Sequence, residues 1–221
     1  MQQIFPTLSG DVDLDELYAS PPRPRPAGRP WAAVVMIASV DGATVVNGVS
    51  GTLGNDSDKA IFLLMRRRAD LVLVGAHTVA AEGYGPSRKP GQRIAVVSGS
   101  GRVDTSRALF TSGGAFLVTS TTAQLPDGVE AVRAGTDGVD LAGALAQFDV
   151  DMVTCEGGST LNGSMVAANM IDELCLTVSP VMVGGTSPRV ASNPGPGGLH
   201  GLQLAHVLED DGYLFLRYTR A

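Results

Sequence analysis

The chain has 221 residues, enough for one domain with an appendage, and 44% of them are apolar, ample for a large core. A formal net charge of -6, with no basic cluster longer than Arg66-Arg67-Arg68, argues against a nucleic-acid surface. Two cysteines, Cys155 and Cys175, lie far apart in apolar runs, as expected for buried free thiols in a reducing compartment. No CxxC or His-x-Glu pattern occurs, so no metal site is expected. There is no signal segment and no apolar run of membrane length, which points to a cytoplasmic protein without a membrane partner.

Residues 1–20 predict one short helix, capped by Asp11 or Asp13, with Leu14, Leu17 and Tyr18 on one face. Residues 21–30 are rich in proline and can be neither helix nor inner strand, so they read as an extended strap on the domain surface. The expected organisation is therefore a strap over 1–30 and one domain over 31–221. Residues 31–39 are an unbroken apolar run, long enough for a central strand, closed by the turn Asp41-Gly42. A glycine-rich irregular stretch follows, carrying Asn47, Ser50 and Thr52. Asp56 or Ser57 is the expected cap of a helix ending near Arg68. Strands over 69–74, 93–97, 116–119 and 151–155, with a short one at 129–131, alternate with helices over 78–81, 139–147 and 160–170. A last strand over 173–179 precedes a hairpin of 202–208 and 213–218 about the turn Glu209-Asp210-Asp211-Gly212, expected at the sheet edge. The pattern is α/β: a mostly parallel central sheet, helices on both faces and a C-terminal antiparallel hairpin.

The densest chemical signal is 150–164. A buried strand ends in Glu156, then Gly157-Gly158, then Ser159-Thr160 and an apolar run at helical spacing. A helix start of this kind presents unpaired N–H groups and the positive end of the dipole, and the glycines admit a ligand backbone-close. The same segment also reads as a tight turn with a Ser or Thr cap. Other strands end in small polar groups: Ser39 and Asp41, Gly75 with Thr78, Ser98 with Ser100, and Ser120. In a parallel sheet these ends share one edge, suited to an extended phosphorylated cofactor. Ser98-Gly99-Ser100-Gly101-Arg102 offers two hydroxyls and a guanidinium for the 2′-phosphate that separates NADPH from NADH, or is an ordinary glycine turn. A serine hydrolase and a Walker loop are both disfavoured, since G-x-S-x-G is absent and Gly-Gly-Ser-Thr has no Lys before its hydroxyls.

Taken together, Ala38-Ser39-Val40-Asp41-Gly42, Ser50-Gly51-Thr52, Leu64-Met65-Arg66, Ala69-Asp70, residues 74–79, Glu156-Gly157-Gly158, residues 171–174 and residues 179–185 resemble, in the same order, the pyrimidine reductases of the riboflavin pathway. The resemblance covers roughly 31–218 and implies a fold of dihydrofolate reductase type without the zinc-bearing deaminase partner domain. It implies NADPH-dependent reduction of the ribosyl group of a pyrimidine ribosylamino 5′-phosphate to ribityl, as in a 5-amino-6-(5-phosphoribosylamino)uracil reductase, and a homodimer. Carried over by position, the cofactor contacts are Ala38, Thr52, Gly75, Thr78, Glu82 and the stretch Gly157, Gly158, Ser159, Thr160, Leu161, Asn162, Gly163 and Ser164, with Ser98 and Ser100 at the adenosine end. Substrate contacts are Ser50, Arg66, Arg88 and Glu156. Physically, Arg66 and Arg88 could fork onto a 5′-phosphate and Glu156 could accept donors from the pyrimidine or ribose. Arg66 also fits a solvated helix C-terminus. Asp41 either makes its Asp-Gly turn or positions a water or hydroxyl for protonation of the imine nitrogen, which makes Asp41 and Glu156 the catalytic candidates. The family's Asp-Asp/Asn-Pro-x-Leu-Thr-x-Arg loop is replaced by 81–88, which loses the Asp-Pro pair and gains Tyr84. Two other readings remain: reduction of another pterin- or pyrimidine-like substrate such as dihydrofolate, and a non-catalytic nucleotide-binding protein.

Overall fold

The computed structural model describes every residue except Asp11, Asn193, Pro194 and Pro196. Strand β2 (Trp31–Ser39) lies at the centre, where its apolar run is buried on both faces. On one side of it come β7 (Met152–Cys155), β3 (Leu71–Gly75), β4 (Arg93–Val97), β5 (Ala115–Thr119) and β6 (Ala131–Arg133). On the other come β8 (Glu173–Ser179), β10 (Tyr213–Arg220), β9 (Leu202–Asp210) and β1 (Gln2–Phe5). The seven strands from β8 to β6 run parallel, so their carboxyl ends share one edge. The hairpin of β9 and β10 is not at the sheet edge as expected. Strand β1 pairs antiparallel with β9, Gln2 opposite Glu209, and forms the border instead.

Helices cover both faces. Helices α4 (Leu141–Leu145) and α5 (Ser159–Ala167) pack Leu145 and Met165 on Val34, Leu73 and Val153. The opposite face carries α1 (Asp56–Arg68), α2 (Ala76–Glu82) and the short α3 (Ala108–Thr111), whose Ile61, Met65, Val79 and Leu109 lie over Ala33, Val35, Val72 and Val74. The cap of α1 is Asn55, one residue before Asp56 and two before Ser57, the expected candidates. Its side chain accepts from Asp58 N at 2.9 Å, while Asp56 and Asp58 complement the dipole from the first turn.

The N-terminal segment is part of the core. Asp13 accepts from the N–H groups of Asp15 and Glu16 and starts a π-helical turn, Asp15–Ala19, that buries Tyr18. Asp11, the other expected cap, lies outside the described residues. From the proline-rich strap, Arg23 reaches Glu173, which is fully buried, with Nε to Oε2 at 2.6 Å and Nη2 to Oε1 at 2.8 Å. Arg217 and Trp31 donate to the same carboxylate at 2.7 and 3.2 Å. These donors outweigh the burial that would otherwise raise its pKa, and hold Glu173 below the usual range.

Candidate active site

The carboxyl ends of the parallel strands open into a cavity of about 1780 Å³. That exceeds the roughly 300–1,000 Å³ of an ordinary small-ligand pocket and leaves room for two ligands side by side. One wall is a face of α1; the floor is the carboxyl ends of the adjacent parallel strands β3 and β7; the far end is the loop after β4.

Where these two strands end, Gly75 N donates to Gly157 O at 2.7 Å and Glu156 N to Leu73 O at 2.9 Å. The Gly157-Gly158 peptide is cis, and Gly157 has φ +86°. A Cβ added to Gly158 would stand 2.8 Å from Thr78 Oγ1, so the site has no room for a larger residue without displacing that hydroxyl. The cap of α5 is Gly158, and no side chain caps the helix; the expected Ser or Thr cap is not used. The Ser159 hydroxyl is buried and has no partner. The first-turn N–H groups of α5 therefore face the cavity as an anion cradle.

Beside this cradle stands a cluster built from three elements. Glu156, 6% exposed, follows β7. Arg66, from the last turn of α1, donates Nε to Oε1 at 2.7 Å and Nη2 to Oε2, a two-pronged pair. Tyr84, from the loop after α2, donates its hydroxyl to Oε2 at 2.9 Å. The guanidinium also lies over the rings of Phe62 and Tyr84, 4.7 and 5.3 Å from their centroids. Burial would lower the Arg66 pKa, but the bonds and charge of Glu156 outweigh it and raise it. Burial, then the charge of Glu156, pushes the Tyr84 phenol well above its ordinary value, so it is a neutral donor. Arg66 and Glu156 were expected as separate substrate contacts; here they bind one another. Tyr84 was visible in the sequence as a gained residue, without a sign of where it would point.

Of the other expected residues, Ser50, Gly75, Thr78, Glu82, Ser98, Ser100, Gly157, Ser159, Thr160, Leu161 and Ser164 line the same cavity. Glu82 accepts from Ser50 N at 2.7 Å, tying the glycine-rich loop to α2. Ala38, Asp41, Thr52, Arg88, Asn162 and Gly163 do not line it. Asn162 lies on the buried face of α5, where it accepts from Cys155 Sγ at 3.3 Å and donates to Val190 O at 2.7 Å. Arg88 is exposed, and the adjoining Lys89 is the residue that turns inward, to Ala69 O at 2.7 Å. Asp41 accepts from Ser39 Oγ at 2.5 Å, Gly184 N at 2.7 Å and Val183 N at 3.1 Å. The Ser39 bond first, then these N–H groups, lower its pKa to about 2. Asp41 thus secures the loop after β8 and holds no proton at neutral pH.

Sequence reasoning missed one more carboxylate. Asp58 lines the cavity on the same face of α1 as Phe62 and Arg66. Burial raises its pKa, opposed by a hydrogen bond from the Thr177 hydroxyl of β8. Both cysteines are buried and free, and burial pushes Cys155 up to about 12. Among the described residues no helix is long and apolar enough to cross a membrane.

Comparison with known proteins gives a consistent result. The chain is 28% identical over 178 residues to the 2,5-diamino-6-ribosylamino-4(3H)-pyrimidinone 5′-phosphate reductase of Methanothermobacter thermautotrophicus, covering 73% of this chain and 82% of that protein. In structure it resembles a pyrimidine reductase-like protein from Corynebacterium diphtheriae, with a TM-score of 0.76, 22% identity and 96% of each chain covered. It also resembles the dihydrofolate reductase of Enterococcus faecalis, with a TM-score of 0.54 and 14% identity over 86% of this chain and 96% of that one, so the fold is dihydrofolate reductase-like. The family model of the RibD C-terminal domain matches residues 30–214, and the chain belongs to that family.

Proposed function

We propose that this chain is an NADPH-dependent reductase that converts the ribosylamino group of a pyrimidine 5′-phosphate to ribitylamino. The observation that carries the reading is a shared cavity: the uncapped start of α5, with its orphaned Ser159 hydroxyl, opens beside the Arg66–Glu156–Tyr84 cluster. The residues present fit the cofactor. The N–H groups of α5 and Ser159 Oγ suit a diphosphate, and Ser98, Ser100 and Arg102 suit a 2′-phosphate at the far end. Bound NADPH supplies hydride to C1′ of the ring-opened imine.

The chain's own groups bind and orient. Glu156, held in place by its two-pronged pair with Arg66, accepts hydrogen bonds from substrate hydroxyls. Arg66 commits Nε and Nη2 to Glu156, which leaves the Nη1 side for the 5′-phosphate. Phe62 and Tyr84 shed water from this end, where lower dielectric strengthens both contacts. No proton transfer is assigned to Asp41, and no substrate contact to Arg88. The reading includes a homodimer, supported by the adjacent exposed Val40, Val181 and Met182 at the ends of β2 and β8.

The test is oxidation of NADPH followed at 340 nm, with the phosphorylated ribosylamino-pyrimidine and dihydrofolate in parallel. Turnover of the pyrimidine alone is expected. Turnover of dihydrofolate alone would overturn the substrate, and NADPH binding without either turnover would overturn the enzymatic reading.

A further inference from the structure

Tyr84, the residue gained where 81–88 departs from the family's loop, touches both halves of the Arg66–Glu156 pair. Its hydroxyl donates to Glu156 Oε2 at 2.9 Å, and its ring faces the Arg66 guanidinium, 5.3 Å from the ring centroid. The loop that carries it is stitched to two helices. Helix α2 ends at Gly83, which turns the chain with φ +65°, and Tyr84 N donates to Val79 O at 3.4 Å. Further along, Ser87 Oγ donates to Gln92 Oε1 at 2.6 Å, and Gln92 Nε2 donates to Arg66 O and Ala69 O at 2.7 Å each. The phenol is therefore held against the last turn of α1, the turn that carries Arg66.

The acceptor count of Glu156 gives this contact a use. A carboxylate has about four acceptor sites. Arg66 Nε takes one on Oε1, while Arg66 Nη2 and the Tyr84 hydroxyl take both on Oε2. One site remains, on Oε1, in a side chain that is 1% exposed and lines the cavity. Without the phenol a second site would open on Oε2. The carboxylate would then be held by the guanidinium alone, at the end of a long side chain that is 23% exposed. Tyrosine is the stiffer of the two side chains and loses less rotamer freedom when fixed.

Resting on the reductase reading, we propose that Tyr84 is a positioning residue for hydride transfer: its hydroxyl closes Oε2 of Glu156 and leaves Oε1 as the single acceptor that orients the substrate. This narrows the contact of Glu156 to one substrate donor. Through that bond the phenol sets where C1′ stands relative to the cofactor, and a misplacement of about 1 Å costs on the order of 100-fold in rate. Tyr84 itself transfers no proton.

The experiment is single-turnover kinetics on the full chain. Enzyme in excess over NADPH is mixed with increasing phosphorylated ribosylamino-pyrimidine, and oxidation is followed at 340 nm. With enzyme in excess, the first-order rate constant does not depend on the folded fraction, so a merely structural role leaves it unmoved. Tyr84→Phe keeps the ring on Arg66 and removes the hydroxyl. Its limiting rate constant should fall on the order of 10–100-fold, while the substrate concentration at half the limiting rate moves less than about threefold. Glu156→Gln should also slow the reaction, and adding Tyr84→Phe to it should cost less than about a further twofold, because the group it acts through is already altered. A fall of less than about tenfold in Tyr84→Phe, or single effects that multiply in the double variant, overturns the assignment. When the wild type turns over and Tyr84→Phe keeps pace, the positioning role alone falls. A wild type that binds NADPH and never oxidises it with this substrate sinks the reductase reading, and the positioning role with it.

Discussion

Replacing Arg66 with Met keeps the apolar stem of the side chain and removes its guanidinium. Glu156, with a side chain 1% exposed, then keeps one donor, Tyr84 at 2.9 Å. Breaking a buried ion pair by removing one partner costs about 3–5 kcal/mol, because the remaining charge is stranded. Stacking on Phe62 and Tyr84 adds about 0.5–1 kcal/mol. Arg66 is 23% exposed, so water enters behind it, and the retained phenol softens the loss. The lower end, about 3 kcal/mol, is the expected cost, or roughly 6–12 °C in melting temperature for a domain of this size. Thermal unfolding of Arg66→Met, Glu156→Gln and the double variant closes a cycle in which the second substitution should restore part of the loss. In kinetics, KM for the phosphorylated substrate should rise at least about tenfold while KM for its dephosphorylated form stays level. A loss below about 1 kcal/mol with additive single effects would refute the pairing as an energetic unit. An equal KM change for both substrates would refute the phosphate contact.

Gly158→Ala places a Cβ 2.8 Å from Thr78 Oγ1 in the cradle, so NADPH affinity by fluorescence titration should fall on the order of tenfold or more. Asp41→Asn should leave kcat at neutral pH within about twofold of wild type, since the group is engaged with the 183–184 loop; a hundredfold loss would return it to the proton chemistry. His206 is buried and its pKa is lowered, by burial first and then Arg217, to about 4. The unfolded chain binds that proton near pH 6.5 and the folded chain near 4, so stability falls as pH drops through this window, by up to about 3 kcal/mol. Urea melts of His206→Gln should show a flatter slope between pH 6.5 and 4, and an unchanged slope would exclude His206 as its source.

Strands β2, β4 and β8 begin and end where the sequence places them: β2 and β4 are apolar runs buried on both faces, and β8 is a strand with every second residue buried. Their alignment in parallel then made the cofactor edge legible, since Ser98 and Gly157-Gly158 each follow a strand. What pairs across distance was not legible. Strand β1 is four residues with no alternation, and its partner lies some 200 residues away. Arg66 and Glu156 are 90 residues apart, and each alone resembles a free ligand contact. Arg23 is hidden among prolines whose composition suggests only a surface strap. Asp58 looks like any acid in a first helical turn; that it lines the cavity emerges only once Phe62 and Arg66 are seen to share its face. Asn55, Asp56 and Ser57 are three equally good capping types in a row, so residue type alone does not choose among them.

The strap and β1 also set an order of events in synthesis. Residues 2–5 leave the ribosome long before residues 202–210, the strand they must cover. Arg23 likewise waits for Glu173 and Arg217. Until then the nascent chain holds an uncovered strand segment and a cation destined for the interior, and its contacts are among the longest-range in the fold. Closure of this border therefore waits on the last hairpin: it is sealed only after residues 202–210 have been made.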